Sequence, residues 1–229
     1  MSLEEARAVD QALPLCVALG WSGFVMYLAG SDLAATKQRA AELIDRAAKH
    51  SLDSYHAFGL CLSGLCRVRQ GDSAAGLQLV ASGIDGLGKS RYEVFVSMFL
   101  GEMAHAAATA GRADDGIAAL DQALARVERN AENWCLPELL RLKGELLLMQ
   151  SEQNSASAAE HFSRSLDCGR RQQALSWELR TVISIARLQR DQGRKREARD
   201  LLAPLYGRFT EGFGTADLQI AKRLLDELG

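Results

Sequence analysis

The apolar residues of this chain recur at the three- and four-residue spacing that places side chains on one face of an α-helix. Alanine and leucine dominate, and the chain has no run of β-branched residues of the kind that a buried parallel sheet needs. The pattern therefore predicts an all-α protein. Two such faces are Ile117, Leu120, Leu124 and Val127, and then Leu139, Leu142, Leu146 and Met149.

Short polar turns interrupt the helical pattern at nearly constant intervals. Their centres are Gly30, Gly71, Gly111, Ser151 and Gly193, which are 41, 40, 40 and 42 residues apart. A small residue lies seven positions before and five positions after each centre, where two antiparallel helices would cross closely. A glycine in the turn supplies the positive φ that ends the first helix. The spacing predicts five helix-turn-helix repeats of about 41 residues.

The predicted repeats cover residues 11–50, 52–88, 91–130, 134–173 and 174–210. A final helix over 215–228 would close the open end of the stack, with Thr215 as its N-cap and Asp217 in its first turn. We expect residues 1–229 to form a single helical-repeat domain.

One segment, residues 11–31, contains no charged side chain, and its stretch LPLCVALGWSGFVMYLA is apolar enough to suggest a membrane span. The segment contains Pro14 and three glycines, is barely long enough to span, and follows more acidic than basic residues. Signal peptides and spanning helices have basic flanks instead. We therefore expect a buried core helix in a cytoplasmic protein that does not contact the membrane.

Charge and cysteine content narrow the function classes only slightly. A formal net charge of −2 at pH 7 gives no general attraction to nucleic acid or to anionic membranes. The five cysteines contain no C-x-x-C pair and no spacing typical of a disulfide framework, which indicates free thiols in a reducing cytoplasm.

Residues 83–90 read GIDGLGKS and match the phosphate-loop pattern G-x-x-x-x-G-K-[ST]. Such a loop follows a buried strand and opens a helix, so that backbone N–H groups and the lysine face the phosphates. Here SAAGLQLVASGI aligns with ADDGIAALDQAL of the next repeat, which puts the motif at the C-terminal end of a helix and in the loop beyond it. We expect a coincidental match, with nucleotide binding through Lys89 as an alternative.

No other arrangement of residues predicts a catalytic or metal site. The four histidines fall in four different repeats, and Cys61 and Cys66 are five positions apart, so they do not share a helix face as metal ligands would. We expect no catalytic residue, no metal and no cofactor in this chain.

The pattern of small residue, turn and small residue resembles the tetratricopeptide repeat, lengthened from its usual length of about 34 residues. Two segments, ENWCLPELLRLKGELLL (132–148) and SWELRTVISIARLQRDQGRKREARDLLAPLYGRFTEGFGTADLQIAKRLLDEL (176–228), look like the C-terminal end of a bacterial family of large signalling ATPases. The segments LAGSDLAATKQRAAELIDRAAKH (28–50) and RQGDSAAGLQLV (69–80) fit the same family, so the resemblance covers nearly the whole chain.

In that family this region is a sensor arm built as a right-handed α-α superhelix. It follows a P-loop ATPase module and an output domain, commonly a winged-helix DNA-binding domain or, in relatives, a class III nucleotide cyclase. The resemblance implies that this chain is a C-terminal fragment without enzyme activity, which binds protein or peptide segments and does not contact nucleic acid. Upstream domains of the same protein and a second copy of the chain are among the implied partners. A freestanding tetratricopeptide scaffold is the alternative.

Tetratricopeptide geometry also predicts where a partner would bind. The concave face is lined by the first helix of each repeat, at positions six and three before, and one and four after, the first small residue. These positions predict a groove that is apolar in its N-terminal half and charged in its C-terminal half. Arginines crowd the last two repeats among acidic residues, which is typical of a solvated face with ion pairs or, alternatively, of a patch for an acidic partner. The predicted contact residues are Phe24, Tyr27, Phe58, Leu65 and Met98 in the apolar half, and Glu138, Arg141, Glu145, Arg180, Arg187 and Arg190 in the charged half.

Overall fold

The computed structural model describes residues 3–9 and 11–229. The described residues form twelve α-helices and no β-strand, which confirms the all-α helical-repeat fold predicted from the apolar spacing. Two short 3-10 turns lie at Asn133–Cys135 and Glu152–Asn154. The helices are α1 (Leu3–Val9), α2 (Ala12–Ala29), α3 (Leu33–Lys49), α4 (Asp53–Arg69), α5 (Ser73–Lys89), α6 (Val96–Thr109), α7 (Ala113–Asn130), α8 (Leu136–Gln150), α9 (Ser155–Arg171), α10 (Leu175–Asp191), α11 (Lys195–Tyr206) and α12 (Ala216–Leu228).

Ten of these helices, α2 to α11, form five consecutive pairs, and each pair corresponds to one predicted repeat. The chain divides into two compact units between Ala106 and Ala107, within α6. In the first unit α2, α3, α4 and α5 pack in sequence, and in the second unit α7 to α12 do the same. The grouping of all 229 residues into one domain stays a prediction.

The turns between paired helices have the predicted geometry at four of the five centres. Gly30, Gly71, Gly111 and Gly193 have φ values of 61°, 92°, 82° and 79°, a region that glycine enters without steric cost. Ser151 is extended instead, with φ −164°, and its hydroxyl accepts a hydrogen bond from the Gln153 N–H at the start of a 3-10 turn. The fourth pair is therefore joined by a longer connection than the others.

The small residues beside the turns allow close helix contact, as their spacing predicts. In the first unit, a Cβ on Gly64 would lie 2.6 Å from the carbonyl oxygen of Gly76, and a Cβ on Gly76 would lie 2.7 Å from that of Gly64. In the second unit, a Cβ on Gly144 would lie 2.5 Å from the Phe162 ring. Glycine is needed at these positions because any side chain would push the paired helices apart.

Helix α12 covers the end of the second unit and packs against α10 and α11. It buries Leu218, Leu224 and Leu228 in a core that also contains Val182 and Leu202. The predicted cap is only partly correct, because Thr215 has the extended N-cap conformation but its side chain makes no capping hydrogen bond.

Helix α2 is buried along one face only. Leu15, Leu19 and Phe24 lie in the core of the first unit, whereas Trp21 and Val25 are 48 % and 57 % exposed. By length and composition α2 is the one helix of the described residues that could cross a membrane, with a mean hydropathy of 1.7, and 39 % of it is buried within the protein. A core helix passes the same test, and the buried face of α2 is that of a core helix.

Candidate functional site

The GIDGLGKS segment does not form a phosphate loop. Residues 83–89 are the last two turns of α5, and only Ser90 lies beyond its end, so the predicted place at the C-terminal end of a helix is correct and less of the segment lies in the loop than predicted. The Ser90 hydroxyl donates to the carbonyl oxygen of Gly86 at 2.9 Å, and the Lys89 ammonium lies 2.6 Å from the Asp85 carboxylate. A phosphate loop faces the positive N-terminal end of a helix, whereas this segment lies at the negative C-terminal end. The structure therefore contradicts the nucleotide-loop alternative.

The glycines of this segment serve the contact between α4 and α5. A Cβ on Gly83 would lie 2.4 Å from the Cys61 sulfur and 2.7 Å from the Ala57 carbonyl oxygen, and a Cβ on Gly86 would lie 2.8 Å from the Ala57 Cβ. A Cβ on Gly88 would have no neighbour within 4 Å. Close helix packing accounts for two of the three glycines, so the motif match is coincidental.

The predicted apolar half of the groove is wrong, because its five residues are core residues. Phe24, Tyr27, Phe58, Leu65 and Met98 are each 3 % exposed or less. Two of these residues, Phe58 of α4 and Phe24 of α2, are covered by the ring of Phe99 in α6 and by the ring of Phe95 just before it.

Four phenylalanines form the aromatic cluster at the centre of the first unit. The rings of Phe24 and Phe58 contact each other and the rings of Phe95 and Phe99, with centroids 5.0 to 6.1 Å apart and tilted or edge-on planes. These are the geometries that aromatic pairs prefer, and such pairs stabilise a core beyond the burial of their area.

Tyr27 brings a polar group to the edge of this cluster. Its hydroxyl donates to the Glu102 carboxylate at 2.8 Å, and the Arg69 guanidinium lies 3.6 Å from the ring centroid while donating to the Tyr27 carbonyl oxygen at 2.8 Å. Burial and the adjacent Glu102 carboxylate raise the pKa of Tyr27 well above its usual range. The hydroxyl therefore stays protonated and has a structural role.

The exposed apolar residues of the first unit are different from those predicted. Leu13, Trp21 and Val25 of α2 are about half exposed, and Val94 lies just before α6 with similar exposure. The Trp21 ring packs edge-on against Phe95, with centroids 4.8 Å apart. Since α2 is apolar on all faces, helical periodicity does not reveal which of its residues remain outside.

The charged half of the predicted groove contains a buried ionic network that joins α8 to α10 and α12. The Glu138 carboxylate, 1 % exposed, accepts two hydrogen bonds from Arg141, at 2.8 and 2.7 Å, and one from Arg180 at 3.0 Å. Arg180 also donates to Asp217 at 2.7 Å, and Arg141 lies 2.6 Å from Glu145. These five side chains form the ionic network.

The network keeps its members charged. Burial by itself would raise the pKa of Glu138, but the charges and hydrogen bonds of Arg141 and Arg180 outweigh it and lower the pKa to about 2. Burial lowers the pKa of Arg141, yet Glu138 and Glu145 together raise it well above its usual value. Each guanidinium of the network therefore pairs with two carboxylates, Arg141 with Glu138 and Glu145, and Arg180 with Glu138 and Asp217.

Beyond the network, the groove between α8 and α10 opens into a cavity of 610 Å³. Four apolar side chains form its floor, namely Leu148 and Met149 of α8, Leu188 of α10 and the fully buried Phe162 of α9. Charged and polar side chains from α8 and α10, from the 3-10 turn after α8 and from the start of α9 form its rim. The lining residues are Glu145, Leu148, Met149, Glu152, Ser155, Phe162, Ser184, Arg187, Leu188, Asp191 and Gln192.

Two of the six predicted charged contacts, Glu145 and Arg187, line this cavity. Glu145 also accepts a hydrogen bond from the Ser184 hydroxyl at 2.8 Å. Arg187 is exposed and forms no ion pair or hydrogen bond with any described residue. Arg190 lies outside the cavity lining and pairs with Glu227 at 2.7 Å and Asp191 at 2.9 Å.

Sequence reasoning missed the floor of the cavity. Phe162 belongs to a second helix, and it reaches the groove because Gly144 lets its ring approach α8. Leu188 lies one residue beyond a predicted position, and Met149 lies at the end of α8 with 47 % of its surface exposed. The period of the repeat gave no signal for these residues, since each depends on how α8, α9 and α10 pack together.

The cysteines and histidines form no further site in the part of the chain that the structure describes. All five cysteines are free and buried, and burial raises the pKa of the Cys61 and Cys66 thiols. Among the described residues, no three histidine, cysteine or acidic side chains are close enough together to hold a metal ion.

Comparison of the chain with protein-family models and with curated proteins gives no match. The resemblance to the repeat region of signalling ATPases therefore stays a prediction.

Proposed function

We propose that this chain is a non-catalytic protein–protein interaction module that binds a peptide segment in the groove between α8 and α10. The observation that carries this proposal is the cavity in that groove, with its apolar floor of Phe162, Leu148 and Leu188 and its charged rim. A volume of 610 Å³ is within the range of ligand-binding clefts, which combine apolar walls with a few polar groups that fix orientation.

The polar groups of the cavity favour binding over catalysis. Ser184 is the buried hydroxyl at the rim, and its nearest carboxylate, Glu145, already accepts from Arg141 at 2.6 Å. A carboxylate held by a guanidinium is a weak base, so it would not activate the serine as a nucleophile. The same contacts fix the side chains in place, which suits the recognition of a partner.

In a cell, the module would act as the sensor arm of a bacterial signalling ATPase. The resemblance of residues 132–148 and 176–228 to that family supports this part of the proposal. Binding of a cytoplasmic protein segment in the groove would then regulate an upstream ATPase module and its output domain, a winged-helix transcriptional regulator.

A peptide-display selection on the purified chain tests the proposal. We expect the selection to enrich peptides that bind the wild-type chain and lose at least about tenfold in affinity for Met149→Arg. Met149 lines the cavity and is half exposed, so arginine would occupy the groove without disturbing the core. Circular dichroism would check that the variant is folded. Peptides that bind both proteins equally would overturn the groove as the binding surface.

A further inference from the structure

The charges around the cavity are different from those that the arginine-rich sequence suggests. Three carboxylates, from Glu145, Glu152 and Asp191, line the cavity against the single guanidinium of Arg187, which gives a formal charge of −2. Of the other predicted arginines, Arg141 and Arg180 are paired in the ionic network, whereas Arg190 pairs with Glu227 outside the cavity and with Asp191 of its lining. The lining residues themselves therefore carry an excess of negative charge, although Arg141 and Arg190 pair with two of the three carboxylates.

The three carboxylates of the cavity differ in whether they already form an ion pair. Glu145 accepts from Arg141, and Asp191 lies 2.9 Å from Arg190. Glu152 is exposed, lies just after the end of α8 and forms no ion pair with any described residue. A cationic side chain that enters the cavity would find in Glu152 a carboxylate without a competing partner.

Resting on the proposed function, we propose that the segment bound in this groove is a basic, amphipathic peptide of a partner protein. Its apolar side chains pack on Leu148, Met149 and Leu188, and a lysine or arginine side chain pairs with Glu152 at the rim. Complementary charge sets the choice of partner and the association rate more than it sets affinity, whereas burial on the apolar floor holds the peptide in place. Arg187 disfavours a second basic side chain on the α10 side and so fixes the direction of the peptide.

Three synthetic peptides test the charge class. Each has about 15 residues, with leucines at one helical face, and the polar positions are lysine in the first, glutamine in the second and glutamate in the third. We expect fluorescence anisotropy to show the lysine peptide binding about tenfold more tightly than the glutamine peptide, and the glutamate peptide binding most weakly. Added salt should narrow these differences, because it screens charges at an exposed rim.

Variants of the chain test which residues cause the preference for the lysine peptide. Glu152→Lys should weaken the lysine peptide about tenfold, and Arg187→Ala should strengthen it. Glu211→Gln removes an exposed carboxylate outside the cavity and should leave the affinity unchanged. Tightest binding by the glutamate peptide, lost in Arg187→Ala, would overturn this inference and leave the proposed function intact. Failure of all three peptides, together with a display selection that enriches none, would overturn both.

Discussion

The same position of the repeat holds apolar side chains in the first unit and charged side chains in the second. Six residues before the small residue, the first unit has Phe58 and Met98, and the second unit has Glu138 and Arg180. Phe58 packs against aromatic rings at and before α6, while Glu138 accepts a hydrogen bond from Arg180 of α10 at 3.0 Å. Phe58 and Glu138 therefore each lie in a contact between neighbouring first helices. The repeat position does not determine whether such a contact is apolar or ionic.

The two units also differ at the position one residue after the small residue. Phe24 and Leu65 are buried in the first unit, whereas Glu145 and Arg187 line the cavity of the second. Aromatic packing fills space and excludes water. A buried ion pair adds little net stability, because desolvation offsets its attraction, but it holds its partners in one arrangement. The aromatic cluster therefore fills the contact between first helices in the first unit, whereas the ionic network holds that contact in one arrangement in the second.

Removal of an aromatic side chain from the cluster should have the largest effect. Phe58→Ala leaves a cavity among Phe24, Phe95 and Phe99, and we expect it to lower the free energy of unfolding by about 3–5 kcal/mol. Urea denaturation followed by circular dichroism measures the loss. Val25→Ala shortens a residue of α2 that is 57 % exposed, and should change stability by about 0.5 kcal/mol or less. Similar losses in the two variants would contradict the assignment of Phe58 to the core.

Disruption of the ionic network should have the second largest effect on stability. Glu138→Ala leaves Arg141 and Arg180 buried without their shared carboxylate, although Glu145 and Asp217 still offset part of their charge. We expect a loss of about 3 kcal/mol in urea denaturation. Arg190→Ala breaks two ion pairs at the surface, with Asp191 and Glu227, and should lose about 1 kcal/mol or less. Equal effects of the two changes would mean that the network is no more important than a surface pair.

Substitution of the glycines in residues 83–90 tests how closely helices pack in the first unit. Gly83→Ala places a methyl group against the Cys61 sulfur and the Ala57 carbonyl oxygen, and we expect it to cost about 2 kcal/mol. Gly88→Ala places the same group in open space near the end of a helix and should stabilise the chain by about 0.5 kcal/mol. Thermal unfolding shows whether each variant is less or more stable than the wild type. Destabilisation by both would show that the motif has a role other than helix contact.

Acid should weaken the ionic network before it affects the aromatic cluster. The pKa of Glu138 is about 2 in the folded chain and lower than in the unfolded chain, so its ionised form stabilises the fold above the unfolded pKa. Stability is then lost as the pH falls, by about 1.5 kcal/mol between pH 5 and pH 3. Glu138→Gln lacks this contribution, so its stability should fall less over the same range. Parallel pH profiles of the two proteins, measured by urea denaturation, would contradict the lowered pKa.

The helices were predictable from sequence because their signals are local. Four of the five turn centres carry a glycine with positive φ, and these glycines fix the ends of helices wherever they stand. The groove was only partly predictable, because it depends on contacts between helices. Periodicity places Phe58 and Glu145 on comparable faces, but only the packing of neighbouring helices shows that one is covered and the other lines a cavity. Thr215 shows the same limit, since its side chain makes no capping hydrogen bond although the helix begins where expected.

The contrast between the units is tested most directly by titrating a display-selected peptide into three proteins: wild type, Met149→Arg and Val25→Arg. Both variants place an arginine at a half-exposed apolar position, one in the cavity of the second unit and one on α2 of the first. If the groove between α8 and α10 is the binding surface, Met149→Arg should lose at least about tenfold in affinity, and Val25→Arg should bind like the wild type. Loss of binding in Val25→Arg with full binding in Met149→Arg would contradict the account and place the site on α2.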